Sequence, residues 1–320
     1  MPYEKIGKNE PVCIAEDVPF EIPRFCNNSA LSYYTVLNIF VKIEHNSTES
    51  EAHIMKLTIL GTGNAMVTKC YNTCFAIEND GHYFLVDGGG GNTIMKQLKN
   101  ADIDWRKITD VFVTHKHIDH IMGIVWIMRL FGQNIAEKGL DRELNIYGHE
   151  EVIHILHSMA ELLLQKKHCA AIGKQIHMIK VKDGEEKDIL KHKVTFFDIQ
   201  STKAKQFGFS MVLDDGEKLT CCGDEPFNPC EETYAKDSKW LLHEAFCLYG
   251  QADKYQPYKK HHSTVKDACE LAETLQIRNL ILYHTEDDTL KHRKELYTKE
   301  GSLYYHGTLY IPNDLDEFEL

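Results

Sequence analysis

The sequence predicts an α/β protein with a metal-binding loop at the edge of a sheet. Three observations predict it. From Met55 onward, short runs rich in β-branched and aromatic residues alternate with stretches of helical periodicity. One such run, Ile108-Thr109-Asp110-Val111-Phe112-Val113, leads directly into Thr114-His115-Lys116-His117-Ile118-Asp119-His120, and an almost wholly apolar helix-like stretch follows at 121–130. Three histidines and an aspartate within 115–120 are a dense donor set, suited to zinc or a similar divalent ion. A strand-to-helix junction at the C-terminal edge of a sheet is where open α/β folds place their ligands.

Taken in order, residues 1–54 read as an N-terminal extension, poorly ordered or lying ahead of a natural start at Met55. A strand or dimer arm, and with it a homodimer, is the competing reading. Pro11, Pro19 and Pro23 interrupt this segment, and a strand-like run at 32–41 gives way to a polar stretch at 45–51. Residues 55–320 read as one domain, opened by a strand at 55–60. Segments 73–78 and 82–86 form a hairpin about Asn79-Asp80-Gly81. Asn92 caps a short helix carrying Ile94, Met95 and Leu98. Beyond the metal loop, 144–147 is a strand. Val152, Ile155, Leu156, Met159, Leu162 and Leu163 then follow the spacing of one core-facing helix stripe. Further strands are expected near 176–181, 194–199, 207–213, 218–222, 240–243 and 280–283. A helix is expected at 264–276, where Thr264 and Asp267 approximate a capping box. The glycines of Gly61-Thr62-Gly63 and 88–91 match no phosphate-binding fingerprint and read as tight turns.

Composition narrows the function classes. With 320 residues and 43% hydrophobic content the chain can bury one large core. A formal charge of -12 is unsuited to wrapping a long phosphate backbone, although bound cations would leave the site locally positive and open to a small phosphate ester. The 10 cysteines form no C-x-x-C pair, and no apolar leader precedes them, which points to a reducing cytoplasm. No segment approaches the ~20 apolar residues of a membrane span.

Further landmarks follow one another along the chain. They are Leu60-Gly61-Thr62-Gly63, Asp87-Gly88-Gly89-Gly90, Gly223-Asp224, His243-Glu244-Ala245-Phe246, His262-Ser263-Thr264, and His284 after Leu280-Ile281-Leu282-Tyr283. With H-x-H-x-D-H they resemble, in order, the motifs of the metallo-β-lactamase superfamily, and of its ribonuclease Z-like members in particular. The resemblance covers about 55–284. It implies an αββα sandwich of two mixed sheets flanked by helices, and two adjacent divalent metals, zinc with manganese or iron as alternatives. His115 and His117 would serve the first metal, Asp119, His120 and His284 the second, and Asp224 both. Such a pair can share a hydroxide nucleophile. Asp87 would orient a ligand histidine. The catalytic set would be Asp119, Glu244 and His262, with His262 protonating the leaving oxygen, its pKa raised by Glu244, which would also hold it.

One departure stands out. The family carries a further histidine for the first metal a few residues before an F-G-Y-like strand. Counting back from Phe207-Gly208 puts Thr202 there, so the first site should be weaker or more open. His149 and His177 could substitute only if the fold brings them close, and His192 lies too far along its strand. The implied activity is phosphodiester hydrolysis, on a small phosphodiester, a cyclic nucleotide or RNA. Precursor tRNA needs a Gly- and Pro-rich gripping arm, but no proline lies between Gln133 and Lys193. Lys166-Lys167-His168, Lys203 and Lys205 are the modest basic candidates. Hydrolysis of a carboxylic ester, lactone or thioester, or metal binding without catalysis, are the alternatives. A di-iron oxidoreductase is disfavoured, because His117 stands where such members have a glutamate.

Overall fold

The computed structural model describes residues 54–320. Except for Ile54, the N-terminal extension and its strand-like run at 32–41 lie outside the described residues. The strands are β1 (Lys56–Gly61), β2 (Cys74–Asn79), β3 (His82–Val86), β4 (Ile108–Phe112), β5 (Leu144–Gly148), β6 (Ile176–Lys180), β7 (Glu185–Ile189), β8 (His192–Asp198), β9 (Phe207–Val212), β10 (Lys218–Cys221), β11 (Trp240–Glu244), β12 (Asn279–Tyr283), β13 (Thr308–Tyr310) and β14 (Glu317–Glu319). The longer helices are α1 (Thr93–Asn100), α2 (Ile118–Lys138), α3 (Glu150–Leu163), α4 (Val265–Thr274) and α5 (Arg293–Gly301).

The strands build two mixed seven-stranded sheets, ordered β14-β1-β2-β3-β4-β5-β6 and β13-β12-β11-β10-β9-β8-β7. Strand alternation sorts the core into layers. Leu57, Ile59, Phe84, Val86 and Phe112 face the second sheet and meet Phe196, Phe207, Phe209 and Leu242. Phe209 packs edge-on against Phe84 and Phe112, with ring centroids 5.5 and 5.9 Å apart. Burying each such side chain contributes roughly 1.5–3 kcal/mol. The opposite faces bury the helices: Leu60, Leu85, Val111 and Ile146 take Ile94, Ile124 and Leu156 of α1–α3, and Leu241, Leu280 and Leu282 take Val265, Ala268 and Tyr297 of α4 and α5. The αββα sandwich follows.

Several local expectations are corrected. The helix after the metal loop starts at Ile118, not 121, so Asp119 and His120 lie in its first turn, where an acidic residue complements the dipole. Asn92 precedes α1 but makes no side-chain cap. The α3 stripe is buried at Val152 and Leu156, yet Leu162 and Leu163 at its end are 83% and 62% exposed. Thr264 and Asp267 do form the reciprocal capping box of α4. Asp80 and Gly81 both adopt positive φ (50° and 73°), the conformation of a type I′ hairpin turn.

Candidate metal centre

The site forms where β4 runs into α2. His115 and His117 belong to the connection, and Asp119 and His120 to the helix. The register of α2 against the sheet is set by a contact only glycine permits: a Cβ on Gly123 would lie 1.8 Å from the Gly88 carbonyl oxygen. The turn after β3 therefore presses on the N-terminal half of the helix. It also places Asp87, held at φ 56°, beneath the histidines. Asp87 Oδ1 accepts from the Thr114 amide at 2.9 Å, and Oδ2 from the Thr114 hydroxyl at 2.7 Å. Oδ2 also lies 2.7 Å from His120 Nδ1. That contact assigns the His120 proton to Nδ1 and turns Nε2, a lone pair, toward the other donors. His115 Nδ1 lies 3.0 Å from the Thr114 hydroxyl, whose own proton is committed to Asp87, so its Nε2 is likewise free to ligate.

Asp224 follows β10 and His284 follows β12, on the second sheet. Their side chains meet those of the α2 end. His120 Nε2 lies 3.4 Å from Asp119 Oδ2 and 3.3 Å from Asp224 Oδ2. His284 Nε2 lies 3.5 Å from Asp119 Oδ2 and 3.3 Å from Asp224 Oδ2. A tetrahedral cation with donors at about 2.0–2.2 Å separates them by about 3.3–3.6 Å. Asp119, His120 and His284 thus form a group close enough to hold an ion, Asp224 stands at such separations from both histidines, and the buried Nε2 atoms of His120 and His284 have no hydrogen-bond partner. The second group shares the same oxygen: His115 Nε2 lies 3.6 Å from Asp224 Oδ2 and 2.8 Å from His117 Nδ1. Burial lowers the proton affinity of His115 and His117 and keeps them neutral donors. Burial opposes the charge of Asp119 and Asp224, but the surrounding imidazoles hold both carboxyls below their ordinary range.

The proton-transfer pair departs from expectation. His262 lies near His284 (ring centroids 5.1 Å), and its Nδ1 is 2.9 Å from the Asp224 carbonyl, a contact only an N–H can make. Glu244, the last residue of β11, is 3.7 Å from that nitrogen and instead accepts from the Ser263 amide. Burial and the neighbouring His284 hold His262 down to about 3, and burial pushes Glu244 well above its ordinary range. Burial thus works against charge on both groups, opposite to the raised histidine expected of the pair. Phe246 stacks on the His262 ring at 4.8 Å and 13°, and Lys260 Nζ lies 5.0 Å from the Phe246 centroid. Phe246 thus gives His262 a flat support. A cavity of about 510 Å³ opens beside them, lined by Lys203, Phe246, Tyr255, Lys260, His262 and His284.

Other candidates lie elsewhere. Thr202 is exposed and touches His261. Neither His149 nor His177 is among the described residues that cluster with these donors. His149 is buried after β5, and His177 lies 3.8 Å from Glu143. His192 binds Asn79 and the Val212 carbonyl. Lys167 pairs with Glu137 at 2.5 Å beside a buried His168.

The family described as Anti-Pycsar protein Apyc1 matches residues 55–305, more than three quarters of the sequence. The chain belongs to this family. Among curated relatives, the ribonuclease Z of Picosynechococcus sp. is 25% identical over 307 residues, covering 77% of this chain and 93% of that protein. Among solved structures, the metallo-β-lactamase fold protein YhfI from Bacillus subtilis superposes with a TM-score of 0.67 at 16% identity, covering 83% of this chain and 99% of its own. The short form of human tRNase Z gives 0.62 at 20% identity, covering 82% and 98%. The Apyc1-family chain thus has the metallo-β-lactamase fold and is similar to ribonuclease Z. Sequence reasoning missed Thr114, Phe246 as a support for His262, and Lys260. For Thr114 the signal was present: a threonine just before H-x-H, close enough to serve both its neighbour and Asp87.

Proposed function

We propose that this Apyc1-family chain is a metal-dependent phosphodiesterase acting on a small phosphodiester, cyclic nucleotides among them. One observation carries the reading: Asp224 Oδ2 is shared by two histidine sets beside a cavity lined by His262 and His284. His115, His117 and Asp224 would hold one divalent cation, and Asp119, His120, His284 and Asp224 another, with zinc favoured by the imidazole-rich donors. Bound there, such cations supply charge neutralisation at the phosphoryl oxygens and activation of water. Asp87 orients His120 through Nδ1. Lys203 and Lys260 line the cavity and offer an anionic ester two cationic contacts, alongside the carboxylates of Glu286, Asp287 and Asp288.

His262 presents Nε2 toward the substrate while Nδ1–H stays on the Asp224 carbonyl. An entering phosphodiester anion raises the proton affinity of that ring, so Nε2 can take up a proton and deliver it to the leaving oxygen. Glu244 acts one step back, fixing the Ser263 amide and so the turn that carries His262. A small substrate is preferred to precursor tRNA because the stretch between Gln133 and Lys193 is spent on α3, β5, β6, β7 and the segment tied down by Lys167. Free thiols at all described cysteines fit a reducing compartment, and no helix among the described residues is long and apolar enough to cross a membrane.

Zinc-loaded protein should hydrolyse an aryl phosphodiester and a cyclic nucleotide in preference to a lactone or a precursor tRNA. Turnover of the lactone or the tRNA, with both small phosphodiesters untouched, would overturn the reading. A chain begun at Met55 should bind metal and turn over like the full chain, since the family match begins there. An insoluble or dye-binding product would refute the treatment of residues 1–54 as a dispensable extension.

A further inference from the structure

The histidines of the proposed pair are aimed by different means. His120 is turned by Asp87, and His115 is backed by Thr114. His284 has no such help: both of its ring nitrogens are buried without a hydrogen-bond partner among the described residues. Its backbone sits at φ 56°, a left-handed conformation uncommon for a residue with a side chain. The aim of this imidazole therefore rests on what holds the chain beside it.

Arg293, the first residue of α5, holds it. Its side chain is among the largest that are fully buried, with 1% exposure. Burying a guanidinium is costly unless its donors are used. Nη1 donates to the hydroxyl of Thr285, the residue after His284, at 2.5 Å. Nη2 donates to the Thr62 hydroxyl at 3.1 Å and to the Pro312 carbonyl at 2.7 Å. Thr285 is thereby fixed against the Leu60-Gly61-Thr62-Gly63 turn. Its amide donates to the Thr62 carbonyl at 3.0 Å, and its carbonyl accepts from the Asn64 amide at 3.0 Å. The counter-charge reaches Arg293 through Thr62, whose hydroxyl also donates to Asp314 Oδ1 at 2.8 Å. Asp314 Oδ2 accepts from the Tyr71 amide at 2.6 Å, and the Tyr71 hydroxyl donates to the Gly88 carbonyl, one residue past Asp87, at 2.7 Å. We propose that Arg293 is a positioning residue of the second cation site, setting His284 through Thr285 as Asp87 sets His120. The proposal rests on the two-cation reading above.

Lysine at 293 keeps the charge, but a compact ammonium lacks the planar fork that spans two hydroxyls and a carbonyl. Valine at 285 keeps the shape of threonine and removes the acceptor. Zinc titration of the metal-stripped full chain against a competing chelator reads both site affinities without any substrate. Circular dichroism of the metal-free protein reads the fold. His284→Ala identifies the second site by losing it. Arg293→Lys and Thr285→Val should each weaken that site by about 10–100-fold, the scale on which residues behind a metal ligand act, and leave the first site unchanged. Thr285→Ser, which keeps the hydroxyl, should bind zinc like the wild type. Wild-type affinity at both sites in Arg293→Lys and Thr285→Val would overturn the proposal and leave the two-cation reading standing. An equal loss at both sites, or metal-free variants without the native fold, would do the same, since Arg293 would then hold the molecule and not the ligand. A wild-type chain that takes up only one zinc would overturn both.

Discussion

Replacing Asp224 by asparagine should empty the metal centre and abolish turnover. One oxygen of this residue meets three imidazoles: His115 at 3.6 Å, His120 at 3.3 Å and His284 at 3.3 Å. It is the only carboxylate common to both donor sets, and it is buried. Exchanging it for a neutral amide would leave the two proposed cations with Asp119 as the remaining carboxylate among their donors, and their repulsion would then work against binding. Metal catalysis of this kind supplies several kcal/mol of transition-state stabilisation, so turnover should fall by about 10³-fold or more. Elemental analysis of Asp224→Asn should show little metal, and stripping the wild type with a chelator should reproduce the defect until zinc is restored. If the variant kept a full complement of metal and normal turnover, Asp224 would not be the bridge.

His262→Ala should keep its metal and lose turnover selectively. Removing a general acid typically lowers the rate by about 10²–10⁴-fold. The loss should be greatest for esters with high-pKa leaving groups and small for an activated aryl ester, whose leaving oxygen departs without a proton. Damage to the fold would slow both alike, as would loss of metal. Glu244 can be tested the same way, with a sharper contrast. If it acts by holding the Ser263 amide, Glu244→Gln should be mild, because an amide oxygen still accepts that bond, and Glu244→Ala should be severe. Equal, severe losses in both would instead give the carboxyl a role in proton transfer.

Much of the site could be read from the chain because its chemistry is local. His115, His117, Asp119 and His120 fall on a loop and the first turn of one helix, so their spacing alone brings them together. Asp224 and His284 were legible because each ends a short apolar strand, and neighbouring parallel strands put such ends side by side: β10 pairs with β11, and β11 with β12. Strands exposed to water were harder to see. β7 reads Glu-Glu-Lys-Asp-Ile, and its place is set by pairing with β8 at the sheet edge, not by any apolar pattern of its own. Leu162 and Leu163 continue a helical stripe in sequence but run past the surface that would have covered them.

The sequence by itself determined the α/β class and the H-x-H-x-D-H loop and nominated the candidate donors, because residue type, order and short-range spacing carry that information. Only the tertiary structure decided which nitrogen of each histidine faces the centre, since that depends on partners such as Asp87, distant along the chain. It also decided that His262 rests its Nδ1 on the Asp224 carbonyl and that Glu244 grips a backbone amide, because those partners lie far off in sequence. The meeting of Thr202 and His261 belongs to the same class: 59 residues separate them along the chain, and the fold closes the gap to 3.2 Å.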